Sequence, residues 1–249
     1  PVSLAFAPDG RIFFNEKYSG SIRIIQNNTL LEAPFASVAP IVVGPEQGLL
    51  GIALDPSFSS NKYVYVYYTQ IDDRGFTHGK IGRFSAAGNS GTNLVTIFDV
   101  NSSAPFTGLH NGGYIKFGPD GKLYAQVGEF HTAKLAQELS SYAGKILRMN
   151  PDGSVPGDNP FPNSLVYAYG IRNGFGFTFD HTGRLIETEA GTDRDEINII
   201  VPGGNYGWPD CLGKCNDLRY VDPITTLGPP AVTPTGIAEL SPGVFLFGQ

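Results

Sequence analysis

The segments FAPDGRIFF (6–14), FGPDGKLYA (117–125) and FDHTGRLIE (179–187) follow one plan: an aromatic-ended strand, a tight turn, a basic residue, then an alternating strand. LDPSFSSNKYVYVYY (54–68) repeats the plan with a longer turn, and LSPGVFLFG (240–248) gives a fifth copy. A repeat of this kind is a strong constraint on the fold, because one hairpin cannot bury its apolar face alone and has to stack on neighbours. The Asp-Gly pairs supply the positive φ that hairpin turns need. Between turns, the run from Lys62 to Tyr68 is rich in β-branched and aromatic residues, as strands require. Apart from a helical turn expected within 132–144, no 3.6-residue periodicity is sustained, and the chain reads as all-β.

Hairpins recurring at roughly 45 to 60 residues fit the four-stranded blades of a β-propeller packed around a central channel. A β-sandwich is the alternative, but its strands come at shorter and more even spacing. The units predict one domain with whole blades near 1–43, 45–104, 107–155 and 164–209, and a partial blade at 232–249. A propeller must close to remove its edges, so about four and a half blades in 249 residues imply a piece of a larger ring. The rest would come from a longer precursor, from self-assembly or from an additional chain. The opening Pro1-Val2-Ser3, without initiator Met or signal segment, suits a mature or trimmed product.

Composition narrows the function. Gly 32 and Pro 19 make about a fifth of the chain, which suits many short strands, and 41% hydrophobic content excludes disorder. A net charge of −6 without a basic stripe excludes a nucleic-acid partner, and no apolar run reaches the roughly 18 residues of a membrane span. Cys211 and Cys215 lack the further ligands of a structural zinc site, so a local disulfide is expected, and with it an oxidising, extracellular or periplasmic setting. Sequons at Asn27 and Asn101 are compatible with secretion.

In a propeller the innermost strand of each blade starts at one rim of the channel, so polar residues just before those strands converge. Four such stretches place glycine around polar side chains: GPEQGLLGIALD (44–55), LHNGGYIKFGPDG (109–121), AYGIRNGFGFTFD (168–180) and ETEAGTDRDEINIIVPGGNYGWPD (187–210). Glycine there lets backbone approach a ligand closely.

The runs QGLLGIALDPSF, HNGG followed by FGPDGKLY, AGKILRMNPDGSVPGDNPF, RNGFGFTFD and DEINIIVPGGNYGWP resemble the glucose/sorbosone dehydrogenases, in the same order over most of the chain. The resemblance implies a six-bladed propeller holding pyrroloquinoline quinone (PQQ) beside calcium. It implies oxidation of an aldose to a lactone, with electrons passed to an external acceptor. Position by position, His110 resembles the base and Arg172 with Asn173 the pair at the cofactor and reacting oxygen. Gln47 resembles the cofactor-contacting glutamine, and Gly191 with Thr192 falls where backbone carbonyls meet calcium. The chemistry is apt: imidazole has an ordinary pKa of about 6.5, and a fixed guanidinium stabilises a developing oxyanion.

Each residue also has a structural reading. His110 would cap a turn, Gln47 would satisfy turn amides, and Arg172 would pair with Glu187 or Glu189. Asp195 and Glu196 would pin backbone, and Trp208 would pack between blades. Three departures from the family pattern bear on activity: Tyr114 replaces an arginine, Glu129 replaces an aspartate one methylene shorter, and Thr192 replaces a proline in a loop one residue short. Tyr114 and the altered loop at Thr192 favour a rival reading, a non-catalytic extracellular propeller serving as a binding or assembly module, whereas Glu129 keeps the charge and favours neither. A calcium-dependent lactonase would need carboxylates converging on the axis, and only 187–198 offers a cluster.

Overall fold

The computed structural model describes residues 1–105 and 108–249, with the side chains of 101–105 outside the description. It is a β-propeller of four antiparallel meanders and a fifth hairpin, arranged in chain order. The first sheet holds β1 (Leu4–Phe6), β2 (Ile12–Asn15), β3 (Ser21–Gln26) and β4 (Thr29–Leu30), with β5 (Ala36–Ser37) also on β3. The second holds β6 (Leu49–Leu54), β7 (Tyr63–Ile71), β8 (Phe76–Ala87) and β9 (Ser90–Pro105). The third holds β10 (Ile115–Phe117), β11 (Leu123–Val127), β12 (Lys145–Met149) and β13 (Val166–Tyr169). The fourth holds β14 (Gly174–Phe179), β15 (Leu185–Glu189), β16 (Asp195–Ile200) and β17 (Thr225–Leu227), and β18 (Ile237–Ser241) pairs with β19 (Val244–Phe247). Between sheets, β1 meets β6, β6 meets β10, β11 meets β14, and β14 meets β18.

The repeated hairpin has a repeated hydrogen-bond chemistry. In the first copy Ala7 N–H donates to Arg11 O and Gly10 N–H to Ala7 O; in the second Gly118 donates to Lys122 and Gly121 to Gly118; in the third Asp180 donates to Arg184 and Gly183 to Asp180. Gly10, Gly121 and Gly183 all have φ between +72° and +88°, the left-handed region where glycine costs least. The aspartate then serves the turn itself: Asp9, Asp120 and Asp180 accept the N–H of Arg11, Lys122 and Arg184.

The second and third blades bury both faces. Along β7, Val64, Val66 and Tyr68 join Phe13, Ile24 and Phe35 of the first blade, while Tyr65 and Tyr67 join Ile115, Leu123 and Ala125 of the third. A third layer packs Tyr124, Ile146 and Ala168 against Phe177, Leu185 and Ile200. The two-residue period of the strand decides which blade receives which side chain.

Two expected boundaries are corrected. Val166–Tyr169, read as the opening of the fourth blade, pairs with Lys145–Met149 and is the outer strand of the third. The fourth blade runs from Gly174 to Leu227, because its outer strand follows a long loop that includes the Cys211–Cys215 disulfide. The turn motif marks inner hairpins only, so outer strands lie beyond its reach. The helical turn expected within 132–144 is a 3-10 turn at Ala133–Ala136, and a short helix α1 (Phe58–Asn61) fills the longer turn of the second blade. Among the described residues no helix is long and apolar enough to cross a membrane. Asn27 stands on an exposed turn, whereas the side chain of Asn101 and the expected third-blade start at 107 lie outside the described residues.

Candidate active site

The loops entering β6, β10 and β14 and the end of β15 meet at one rim of the channel. They are laced by backbone: Phe130 N–H donates to His110 O, Gly113 to Gln126 O, Glu129 to Arg172 O and Ala190 to Asn173 O. Gly112 permits this closeness, since a Cβ there would stand 2.6 Å from Gln126 O.

His110 is buried and takes φ +54°, an uncommon conformation for a residue with a side chain. Its Nδ1 lies 2.6 Å from Glu129 Oε1, and the other Glu129 oxygen accepts the N–H of Thr132. A carboxylate on Nδ1 places the proton there and leaves Nε2 as the basic nitrogen, and among the described residues Nε2 has no hydrogen-bond partner. The extra methylene of Glu129 therefore does not defeat its reach. The turn-cap reading covers only the backbone of His110.

Arg172 is half-buried. Its Nη1 donates to Ala190 O at 2.8 Å, its Cζ lies 5.2 Å from the centroid of the Trp208 ring, and its backbone N–H goes to Glu189 Oε1. The side chain thus rests on a carbonyl and an indole face and not in a salt bridge with Glu187 or Glu189. Arg172 Nε and Trp208 Nε1 are buried without partners.

The other expected residues fall differently. Asn173 is buried with both ends of its amide engaged: Oδ1 accepts Gly112 N–H at 3.2 Å and Nδ2 donates to Glu46 Oε2 at 2.9 Å. Gln47 is fully buried, close beneath Gly44, and neither end of its amide has a partner; Asn111 is in the same condition. Glu46, one residue earlier, is the side chain that reaches the rim, accepting His110 N–H at 2.6 Å and lining a cavity of about 120 Å³ with Lys17, Leu50, Gly113, Tyr114 and Phe175. The signal that finds it is an acidic residue beside the expected glutamine at a blade entry. Tyr114 packs edge-on against Phe177 with centroids 5.1 Å apart, so the arginine position of the family holds an aromatic, uncharged wall.

Gly191 and Thr192 sit on a turn whose acidic neighbours are committed. Asp195 accepts the N–H of Gly191 at 2.9 Å through one oxygen and those of Val232 and Thr233 at 2.6 and 2.8 Å through the other. Glu196 accepts Gly213 N–H at 2.6 Å. Among the described residues no group of three or more His, Cys, Asp or Glu is disposed to hold a metal. Behind the rim, Glu187, Glu189 and Glu196 gather around Asn198 Nδ2, at 3.1, 3.5 and 3.3 Å. Burial, together with the neighbouring Glu196, pushes the Glu187 carboxyl up to about 8, even though Asn198 and Gln126 donate to it. Burial and the same carboxylate neighbours raise Glu189 as well.

The rim of the propeller thus brings together a histidine with a carboxylate on Nδ1 and an arginine laid on an indole face. A profile of the glucose/sorbosone dehydrogenases matches residues 1–225, and the chain belongs to that family. It is similar to quinoprotein glucose dehydrogenase B of Acinetobacter calcoaceticus, 33% identical over 249 residues, covering 88% of this chain and 52% of that protein. Aldose sugar dehydrogenase YliI of Escherichia coli is 31% identical over 218 residues, covering 84% and 58%. The PQQ-bound form of an aldose sugar dehydrogenase from Streptomyces coelicolor superposes with a TM-score of 0.86 at 37% identity, covering 96% of this chain and 71% of that one. The chain spans between 52% and 58% of the length of the first curated relatives it matches.

Proposed function

We infer that the chain carries the catalytic rim of a PQQ-dependent aldose dehydrogenase, with His110 as the base that takes the proton of the anomeric hydroxyl at Nε2. The observation that carries this reading is the 2.6 Å contact of Nδ1 with Glu129, which leaves Nε2 without a partner among the described residues. Arg172, held in place by Ala190 O and the face of Trp208, supplies fixed positive charge for the oxygen that loses the proton. The orphaned donors Arg172 Nε and Trp208 Nε1 suit the carboxylate and carbonyl oxygens of PQQ. When bound, the quinone supplies the acceptor for the hydride from the anomeric carbon, and the sugar leaves as a lactone. His110, Arg172 and Trp208 are the residues that would hold and face it. Asn173 ties the rim loops together through Gly112 and Glu46.

Calcium at the backbone oxygens of Gly191 and Thr192 would find no free carboxylate in Asp195 or Glu196, and no step is assigned to it. The aldose, the external electron acceptor and an oxidising compartment, the last suggested by the Cys211–Cys215 disulfide, belong to the same reading. The rival reading, a non-catalytic module, draws on Tyr114, which brings no charge to the rim.

The test uses the full-length protein with PQQ and calcium. The expected result is quinone binding, followed by its reduction with members of an aldose panel. His110→Asn should lower kcat by about 10² to 10⁴ while quinone binding persists. Failure of the wild-type protein both to bind the quinone and to reduce it with any aldose overturns the reading.

A further inference from the structure

We propose that Glu46 is a positioning residue: its Oε2 atom fixes the backbone of His110 and the amide of Asn173 in one arrangement and so sets where His110 presents Nε2. One oxygen accepts both donors, His110 N–H at 2.6 Å and Asn173 Nδ2 at 2.9 Å, and the Glu46 N–H donates to Gly108 O at 3.2 Å. A single residue thereby ties together the entry loops of the second, third and fourth blades.

Three features make this more than a surface contact. His110 takes φ +54°, a conformation that persists only where its surroundings impose it, and the Glu46 carboxylate holds the N–H at its start. Asn173 cannot flip, since exchanging its amide ends would set Nδ2 against Gly112 N–H and Oδ1 against the carboxylate. The run from His110 to Gly113 is then clamped at four points: by Glu46 at His110 N, by Phe130 N–H at His110 O, by Asn173 at Gly112 N and by Gln126 O at Gly113 N. Two of the four depend on Glu46, one directly and one through Asn173. Charge-assisted bonds of this kind are the stronger ones, so their loss should loosen the ring that Glu129 orients.

The catalytic arm of the test rests on the function proposed above, whereas the spectroscopic arm does not. In full-length protein with ¹⁵N-labelled histidine, His110 is assigned by its loss in His110→Asn. The wild type should show a single Nδ1–H tautomer, and Glu46→Ala should give a mixture of tautomers. Glu46→Gln keeps an acceptor oxygen and should restore most of the wild-type signal. In the enzyme assay Glu46→Ala should lower kcat by about 10- to 100-fold, move the acidic limb of the pH profile and change KM less than kcat. Should Glu46→Ala not fold, Glu46→Gln and Glu46→Asp carry the same readouts, with a partial tautomer shift expected. The proposal is overturned if folded variants lose thermal stability alone, with the His110 spectrum and pH profile unchanged. If the wild type oxidises no aldose, the functional reading fails, and the His110 spectra still decide the role of Glu46.

Discussion

Asp195 and Glu187 sit on neighbouring strands of one blade, both at 0% exposure, yet their surroundings are opposite. Asp195 is surrounded by three backbone N–H groups that the chain itself fixes. Glu187 has only the side-chain amides of Gln126 and Asn198, and it shares Asn198 with Glu189 and Glu196. Equal burial therefore goes with opposite donor sets, fixed backbone N–H groups at Asp195 and shared side-chain amides beside competing acids at Glu187. Glu46 and Glu129 are of the Asp195 kind, each serving backbone N–H groups at the rim. The rim carboxylates are committed to backbone, while behind them burial favours a retained proton on Glu187 and Glu189.

The comparison is most exposed at Glu129. Glu129→Ala strips His110 Nδ1 and Thr132 N–H of their acceptor. Given the proposed chemistry, kcat/KM should fall about 10²- to 10³-fold in steady-state assays, whereas Glu129→Gln, still able to accept from Nδ1, should lose less. The next largest effect belongs to Glu187. The folded chain keeps its proton up to about 8, whereas the unfolded chain loses it near 4.5, so folding stability should fall as pH rises between those values. Glu187→Gln should flatten that part of the denaturation profile and raise stability near neutral pH, by up to about 3 kcal/mol. An unchanged slope would mean that the interior holds its carboxylates charged and would erase the contrast. The smallest effect is at Asp195, where Asp195→Asn turns one acceptor into a donor facing fixed N–H groups. It should cost about 2 kcal/mol by urea unfolding.

What was legible in the sequence follows the range of the forces involved. The hairpins were readable because Asp120 and Gly121, or Asp180 and Gly183, do their work within four residues. Outer strands such as Val166–Tyr169 and Thr225–Leu227 owe their place to pairing with β12 and β16, and nothing in their own residues assigns them to a blade. At the rim, the convergence of His110 and Arg172 was legible from blade-entry motifs whose glycines set the loop shape. The acidic residue beside Gln47 marks Glu46, yet both stand in the bend before β6, where no strand period decides which side chain meets the channel. The reach of Glu129 depended on Thr132 and the 3-10 turn behind it, an arrangement that no local pattern announces.

The two-faced burial of β7 has a mechanical consequence. Because Val64 and Val66 belong to one interblade layer and Tyr65 and Tyr67 to the next, this strand acts as a party wall, and neither adjoining layer can be opened without exposing one of its sides. Amide exchange should therefore be slowest at β7 and its pairing partners β6 and β8. The loops that carry Glu46 and His110 are anchored on either side of that wall, so they inherit the rigidity of its least yielding part.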